Sequence, residues 1–139
     1  MPLNKYFIIG EIGSGISLPD SKKYSIKVSM GKYEFVNQAP KQTEKQLCRW
    51  DIKFEKTIDD SYQSVYKLPD IFVYLCLDDV PIAYYRESCS EFEEPNSVLK
   101  WYPFKPDFAV GQLKEGYKAG LFSMRLHIRS VTEKGVFNH

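Results

Sequence analysis

No stretch of this 139-residue chain approaches the roughly 18 consecutive apolar residues that a membrane span requires, so the segment is expected to be soluble. Cysteine is scarce. Cys48, Cys76 and Cys89 are odd in number, lie far apart and form no Cys-x-x-Cys pair, which argues against a disulfide framework and a zinc knuckle. Met1 to Gly10 lacks the charged and apolar regions of a signal peptide, and no Asn-x-Ser/Thr acceptor occurs. Together these absences point to the reducing cytosol, with Cys76 a small hydrophobe inside a strand. Neither sign of charge is in excess: 19 Lys and Arg face 18 Asp and Glu. A bulk electrostatic hold on nucleic acid or on an anionic membrane is therefore not expected, and any such contact must come from a local patch.

Catalytic signals are missing as well. There are two histidines, His127 and His139, and no nucleophile elbow, His-Glu-x-x-His or phosphate loop. Gly10-x-x-Gly13-x-Gly15 has the wrong spacing for a dinucleotide fingerprint and leads into no helix, so it reads as a loop. A non-catalytic chain without a cofactor is expected. Tyr84-Tyr85 and Trp101-Tyr102-Pro103-Phe104 lack the clustered basic residues that stacking on a single-stranded nucleic acid needs, and read as core material. Nowhere does an amphipathic helical stripe of ten or more residues occur, nor an internal repeat.

What the chain does have is strand patterning. Aromatic residues make up 15% of it, a composition that leans toward β structure. Tyr6 to Ile12 reads as a strand closing into the Gly13-Ser14-Gly15 loop. In Tyr24 to Met30, Tyr24, Ile26, Val28 and Met30 alternate with Ser25, Lys27 and Ser29, the period of two that gives one buried and one wet face. Gly31 permits a bend. The same alternation sets Trp50, Ile52 and Phe54 against Arg49, Asp51, Lys53 and Glu55. Asp59 to Lys67 reads as an exposed connection. Ile71 to Leu77 is apolar on both faces, as a central sandwich strand would be, and Asp78-Asp79-Val80-Pro81 turns it into Ile82 to Arg86. Glu87 to Asn96 reads as an acidic loop, and Val98 to Phe104 and Gly120 to Ile128 as the last strands, with His127 on the wet side. About eight short strands point to an antiparallel β-sandwich, with Trp50, Ile52, Phe54, Phe72, Tyr74 and Leu126 expected in one core between the sheets.

Two blocks carry a family resemblance. Tyr24-Ser25-Ile26-Lys27-Val28-Ser29-Met30-Gly31-Lys32-Tyr33 is similar to the ferlin pattern of a strand ending in Val-Ser-Ile-Gly-x-Tyr. Leu68-Pro69-Asp70-Ile71, an apolar strand, Ala83-Tyr84-Tyr85-Arg86 and later Leu99-Lys100-Trp101-Tyr102-Pro103 resemble, in order and approximate spacing, an internal C2 domain of that family. Trp50-Asp51-Ile52-Lys53-Phe54 resembles the Trp-x-x-x-Phe of many C2 fourth strands, one position shorter. The chain departs from the family members compared in lacking a long helical insertion after the Ser-Ile-Gly strand. The resemblance implies an all-β, C2-type sandwich over residues 1–139, a single domain from a larger, tail-anchored protein with several C2 domains. That protein would promote vesicle docking and fusion at the cytosolic face of vesicle or plasma membrane. Its partners would be other domains of the same protein or trafficking proteins.

Two chemistries follow from a C2 reading. Calcium wants six to eight oxygens, and the chain offers only Asp20 on one loop and Asp78 and Asp79 on a short turn, with Leu75 and Leu77 where an Asp-x-Asp pair would be expected. A calcium-independent domain is the expectation. Lys27, Lys45 and Lys53 are read onto the wet faces of neighbouring strands, as a weak site for anionic phosphoinositide headgroups, with Asp51 and Glu55 offsetting much of its field. A lipid-targeting domain and a scaffold C2 domain of a ciliary or centrosomal protein are the alternatives to a protein-contact role.

Overall fold

In the computed structural model the described residues are 4–61, 64–94, 98–106 and 119–131; His139 and parts of the two loop readings, at 62–63 and 95–96, lie outside them. Among the described residues ten strands form two open sheets. The first is ordered β4 (Gln42–Glu44), β5 (Leu47–Asp60), β1 (Asn4–Ile16), β10 (Leu121–Val131), β8 (Lys100–Pro103). The second is ordered β3 (Tyr33–Gln38), β2 (Ser25–Met30), β6 (Ile71–Leu77), β7 (Val80–Glu87), β9 (Lys105–Pro106). Every neighbouring pair is antiparallel. The chain is thus an all-β antiparallel sandwich, and the only helical elements among the described residues are the short 3-10 segments Val65–Lys67 and Cys89–Phe92.

Alternation in the sequence places most of the core. Ile26, Val28 and Met30 of β2 and Phe122, Met124, Leu126 and Ile128 of β10 are buried, as the period of two requires. From β5, Trp50 is fully buried and its indole N–H donates to the Tyr24 carbonyl at 3.0 Å, while Ile52 and Phe54 pack against the core only partly buried. β6 corrects the expected core. Its inward residues are Ile71, Val73 and Leu75; Phe72 and Tyr74 stand on the outer face of the second sheet. A strand apolar on both sides gives no signal for which side faces in, and here the outer side is covered by aromatic neighbours rather than by a further layer.

Other differences have local causes. The glycine cluster is not a loop: β1 runs on through it to Ile16, with a register shift against both neighbours. The bulge turns the Ser14 amide onto the Ser123 hydroxyl at 3.0 Å, and the missing side chain of Gly15 makes room for the Trp50 indole. β3 escapes a period-two reading because a bulge against β2 turns two successive residues, Phe35 and Val36, inward. The stretch Asp59 to Lys67 is less exposed than expected. β5 continues to Asp60, and Val65 of the first 3-10 segment is buried. The final hairpin segment changes sheet at Phe104, whose amide donates to the Gly120 carbonyl at 3.0 Å.

Candidate interaction surfaces

The three lysines read as one lipid site are not brought together. Lys27 points outward from β2 in the second sheet, Lys53 outward from β5 in the first, and Lys45 occupies the exposed turn between β4 and β5 with φ of 51°. The two sheets lie back to back, so Lys27 and Lys53 face opposite directions. The expectation that their strands are neighbours is therefore corrected: alternation identifies outward residues but not the sheet to which a strand belongs. Each also has acidic company. Lys27 lies 3.4 Å from Glu34, and Lys53 sits in register with Glu11 of β1.

Asp78 and Asp79 form a two-residue turn between Leu77 and Val80, both in the left-handed region with φ of 51° and 66°. That backbone suits the right-handed twist of a tight hairpin. Leu75 is fully buried and Leu77 packs on the core, while Asp20 is exposed on the β1–β2 loop, its amide bonded to the Tyr24 hydroxyl at 3.1 Å. Among the described residues no group of three or more His, Cys, Asp or Glu side chains is arranged to hold a metal ion. One millimolar calcium, about the upper range for weak extracellular modules, is expected to leave the thermal unfolding midpoint unmoved. A site of about ten-micromolar affinity would at that concentration add about 2.7 kcal/mol, several degrees in a scan. Such a shift, lost in Asp78→Asn with Asp79→Asn, would restore a sensor role.

The outer face of the second sheet carries a different constellation. Phe72 and Tyr74 stack at 5.6 Å between ring centroids, and Tyr84 lies 6.4 Å from Phe72. Arg86 lies over the Phe72 ring at 5.4 Å and bonds Asp70 at 2.7 Å. Beside this face, at the rim between the two sheets, Lys32 of the β2–β3 turn is 3.7 Å from Asp60 of β5, which also accepts the Tyr33 hydroxyl at 2.5 Å. That hydroxyl, followed by the Ser61 amide, holds the Asp60 carboxyl below its usual range. A shallow groove of about 470 Å³ runs between Lys27, Ser29, Lys32, Tyr33, Glu34 and Tyr74. The result is an aromatic strip flanked by two cation–carboxylate pairs, Lys27–Glu34 and Arg86–Asp70. Alternation alone does not reveal it, because β6 is apolar on both sides; Phe72 and Tyr74 at alternate positions of β6, with Tyr84 of β7, are the signal in the sequence.

The three thiols and His127 make structural contacts. All three thiols are buried; burial pushes Cys89 up to about 12, and its Sγ donates to the Pro69 carbonyl at 3.1 Å. His127 does face outward, but it is half-buried, and its Nε2 lies 3.0 Å from the Glu93 carbonyl, tying the segment after the second 3-10 turn to β10. Arg125 pairs with Glu11 across the outer face of the first sheet. The chain matches no protein-family model, and no curated protein matches it in sequence.

Proposed function

We propose that this chain is a non-catalytic, calcium-independent C2-type module of a ferlin-like protein, acting in vesicle traffic and membrane fusion through contacts with other domains of that protein or with trafficking proteins. The observation that carries the reading is the outer face of the second sheet: aromatic side chains in the middle, and around them cations that already hold carboxylate partners. Aromatic residues and arginine are the groups enriched in protein interfaces. A face whose charges are internally balanced offers little pull on an anionic bilayer. The antiparallel sandwich agrees with the C2 reading. The two halves of the motif that resembles the ferlins also meet in space, Asp70 of Leu-Pro-Asp bonding Arg86 of Ala-Tyr-Tyr-Arg.

A fluorescently tagged chain expressed in cells with active secretion tests this. Label on vesicle or plasma membrane is expected, dispersed by Phe72→Ser with Tyr84→Ser and retained in Lys27→Glu, Lys45→Glu, Lys53→Glu. Label that is diffuse from the start, or lost only in the lysine variant, would overturn the protein-contact role, the second outcome in favour of phosphoinositide binding.

A further inference from the structure

Of the six large hydrophobic side chains most exposed among the described residues, three fall within four consecutive positions: Val98 at 59%, Leu99 at 40% and Trp101 at 52%. They lead into and occupy β8, the terminal strand of the first sheet, bonded to β10 on one side and, among the described residues, paired with no strand on the other. Leu99, Trp101 and Pro103 follow one another at the strand period. Trp101 lies opposite Ser123, and Pro103 opposite Leu121, which is in turn in register with Ile16 of β1. Leu99 lies against Gly13, where no side chain intervenes. Past Pro103 a cleft of about 470 Å³ opens, lined by Pro103, Phe104, Pro106, Ala119, Gly120 and Leu121. The charged residues of the described segments 98–106 and 119–121 are Lys100 and Lys105, both exposed.

We propose that β8 is a strand-addition site for an extended peptide with apolar residues between acidic flanks. This rests on the reading of the chain as a protein-contact module and names where and what it binds. An edge strand presents backbone N–H and C=O groups that a further strand can pair, and side chains at alternate positions of the added strand then select by pockets. Here those positions meet Trp101, Leu99 and the apolar cleft. The lysines decide the flanks. Lys100 stands in β8 and Lys105 just past the change of sheet, in β9; a peptide with acidic flanks meets both with opposite charge, whereas the same segment of a second copy carries only the same two lysines. Pro103 and the short length of β8, four residues, confine pairing to a short segment and limit uncontrolled edge-to-edge growth.

The test uses the purified chain and a short fluorescent peptide with Glu-Asp at each end and alternating Val, Thr and Phe between them. A version with Pro at its centre, which cannot donate to the ladder, is the control, and phosphatidylserine vesicles are run in parallel. Saturable binding is expected, with amide shifts centred on residues 100–103. Affinity should fall at least about tenfold for the proline peptide, for Trp101→Ala and for Lys100→Glu with Lys105→Glu. These side chains are exposed, so each variant should keep the parent's unfolding midpoint. Equal binding of the proline peptide, shifts on another face, or no peptide binding while vesicles bind and are released by Trp101→Ala would overturn the proposal, the last in favour of a bilayer. Failure here with membrane label in cells intact refutes the β8 site alone. Diffuse label with peptide binding intact refutes the trafficking role and leaves β8 a peptide site.

Discussion

Trp50→Ala is expected to cost about 3 to 5 kcal/mol, the range for deleting a large buried aromatic, and to leave the domain close to unfolding at 37 °C. The side chain is fully buried, its ring fills the space left by Gly15 of β1, and its N–H reaches the Tyr24 carbonyl at the entrance to β2. One residue of the first sheet is thus bonded to the chain entering the second. Alanine removes the packing on both and strands a buried carbonyl, which adds its own desolvation cost of about 1 to 3 kcal/mol if nothing replaces the bond. Small domains hold only about 5 to 15 kcal/mol in total. Urea unfolding checks this: the midpoint should fall with the slope unchanged. Trp50→Phe should recover most of the packing but not the bond, separating the two terms. A loss below about 1 kcal/mol for alanine would mean that the indole is not the inter-sheet pillar its burial indicates.

Gly120→Val is expected to cost about 2 to 5 kcal/mol, from backbone strain together with overpacking. Gly120 has φ of +91°, and a Cβ there would lie 2.6 Å and 2.8 Å from the carbonyl oxygens of Ile16 and Ser17. Backbone atoms cannot turn away as the end of a side chain can. The same residue accepts the Phe104 amide where the chain changes sheets, so displacing it disturbs both sheets at once. Gly31 provides the contrast. Its φ of 57° also lies in the left-handed region, but a Cβ there would meet a side chain, the ring of Pro69 at 2.9 Å, rather than backbone. Gly31→Ala should therefore cost clearly less than Gly120→Ala in the same unfolding assay. If the two are equal, the carbonyl obstruction at Gly120 is not what constrains it.

The sequence made the strand class and much of the inward face legible wherever apolar and polar residues alternate, as in β2, in the first half of β5 and in β10. It did not show how strands divide between sheets. Lys27 and Lys53 have the same local pattern and end on opposite outer faces, because the chain crosses from the second sheet to the first between β3 and β4. The outward turn of Phe72 and Tyr74 is illegible for a related reason: β6 is hydrophobic on both sides, and the choice of inner side is made by what packs opposite. The Gly13-Ser14-Gly15 cluster looked like a loop because glycine also serves close approach, and only the position of Trp50 and Ser123 distinguishes the uses. The candidate surfaces were the least legible part. The charge pairs on the second sheet depend on strand register, Lys27 with Glu34 across β2 and β3 and Asp70, just before β6, with Arg86 of β7, and the edge position of β8 depends on which strands lie beside it.

The middle of the first sheet joins the beginning of the described chain to its end: β1 lies between β5 and β10, and Ser14 is bonded to Ser123 across 109 positions. Loop closure of that length must precede the contacts that reward it, which makes such pairings slow to form. During synthesis β1 waits, with one edge unpaired, until nearly all of the described chain has left the ribosome. The closing step belongs to β10, and a product cut short before Leu121 would carry the same apolar β1 residues without β10 to seal them.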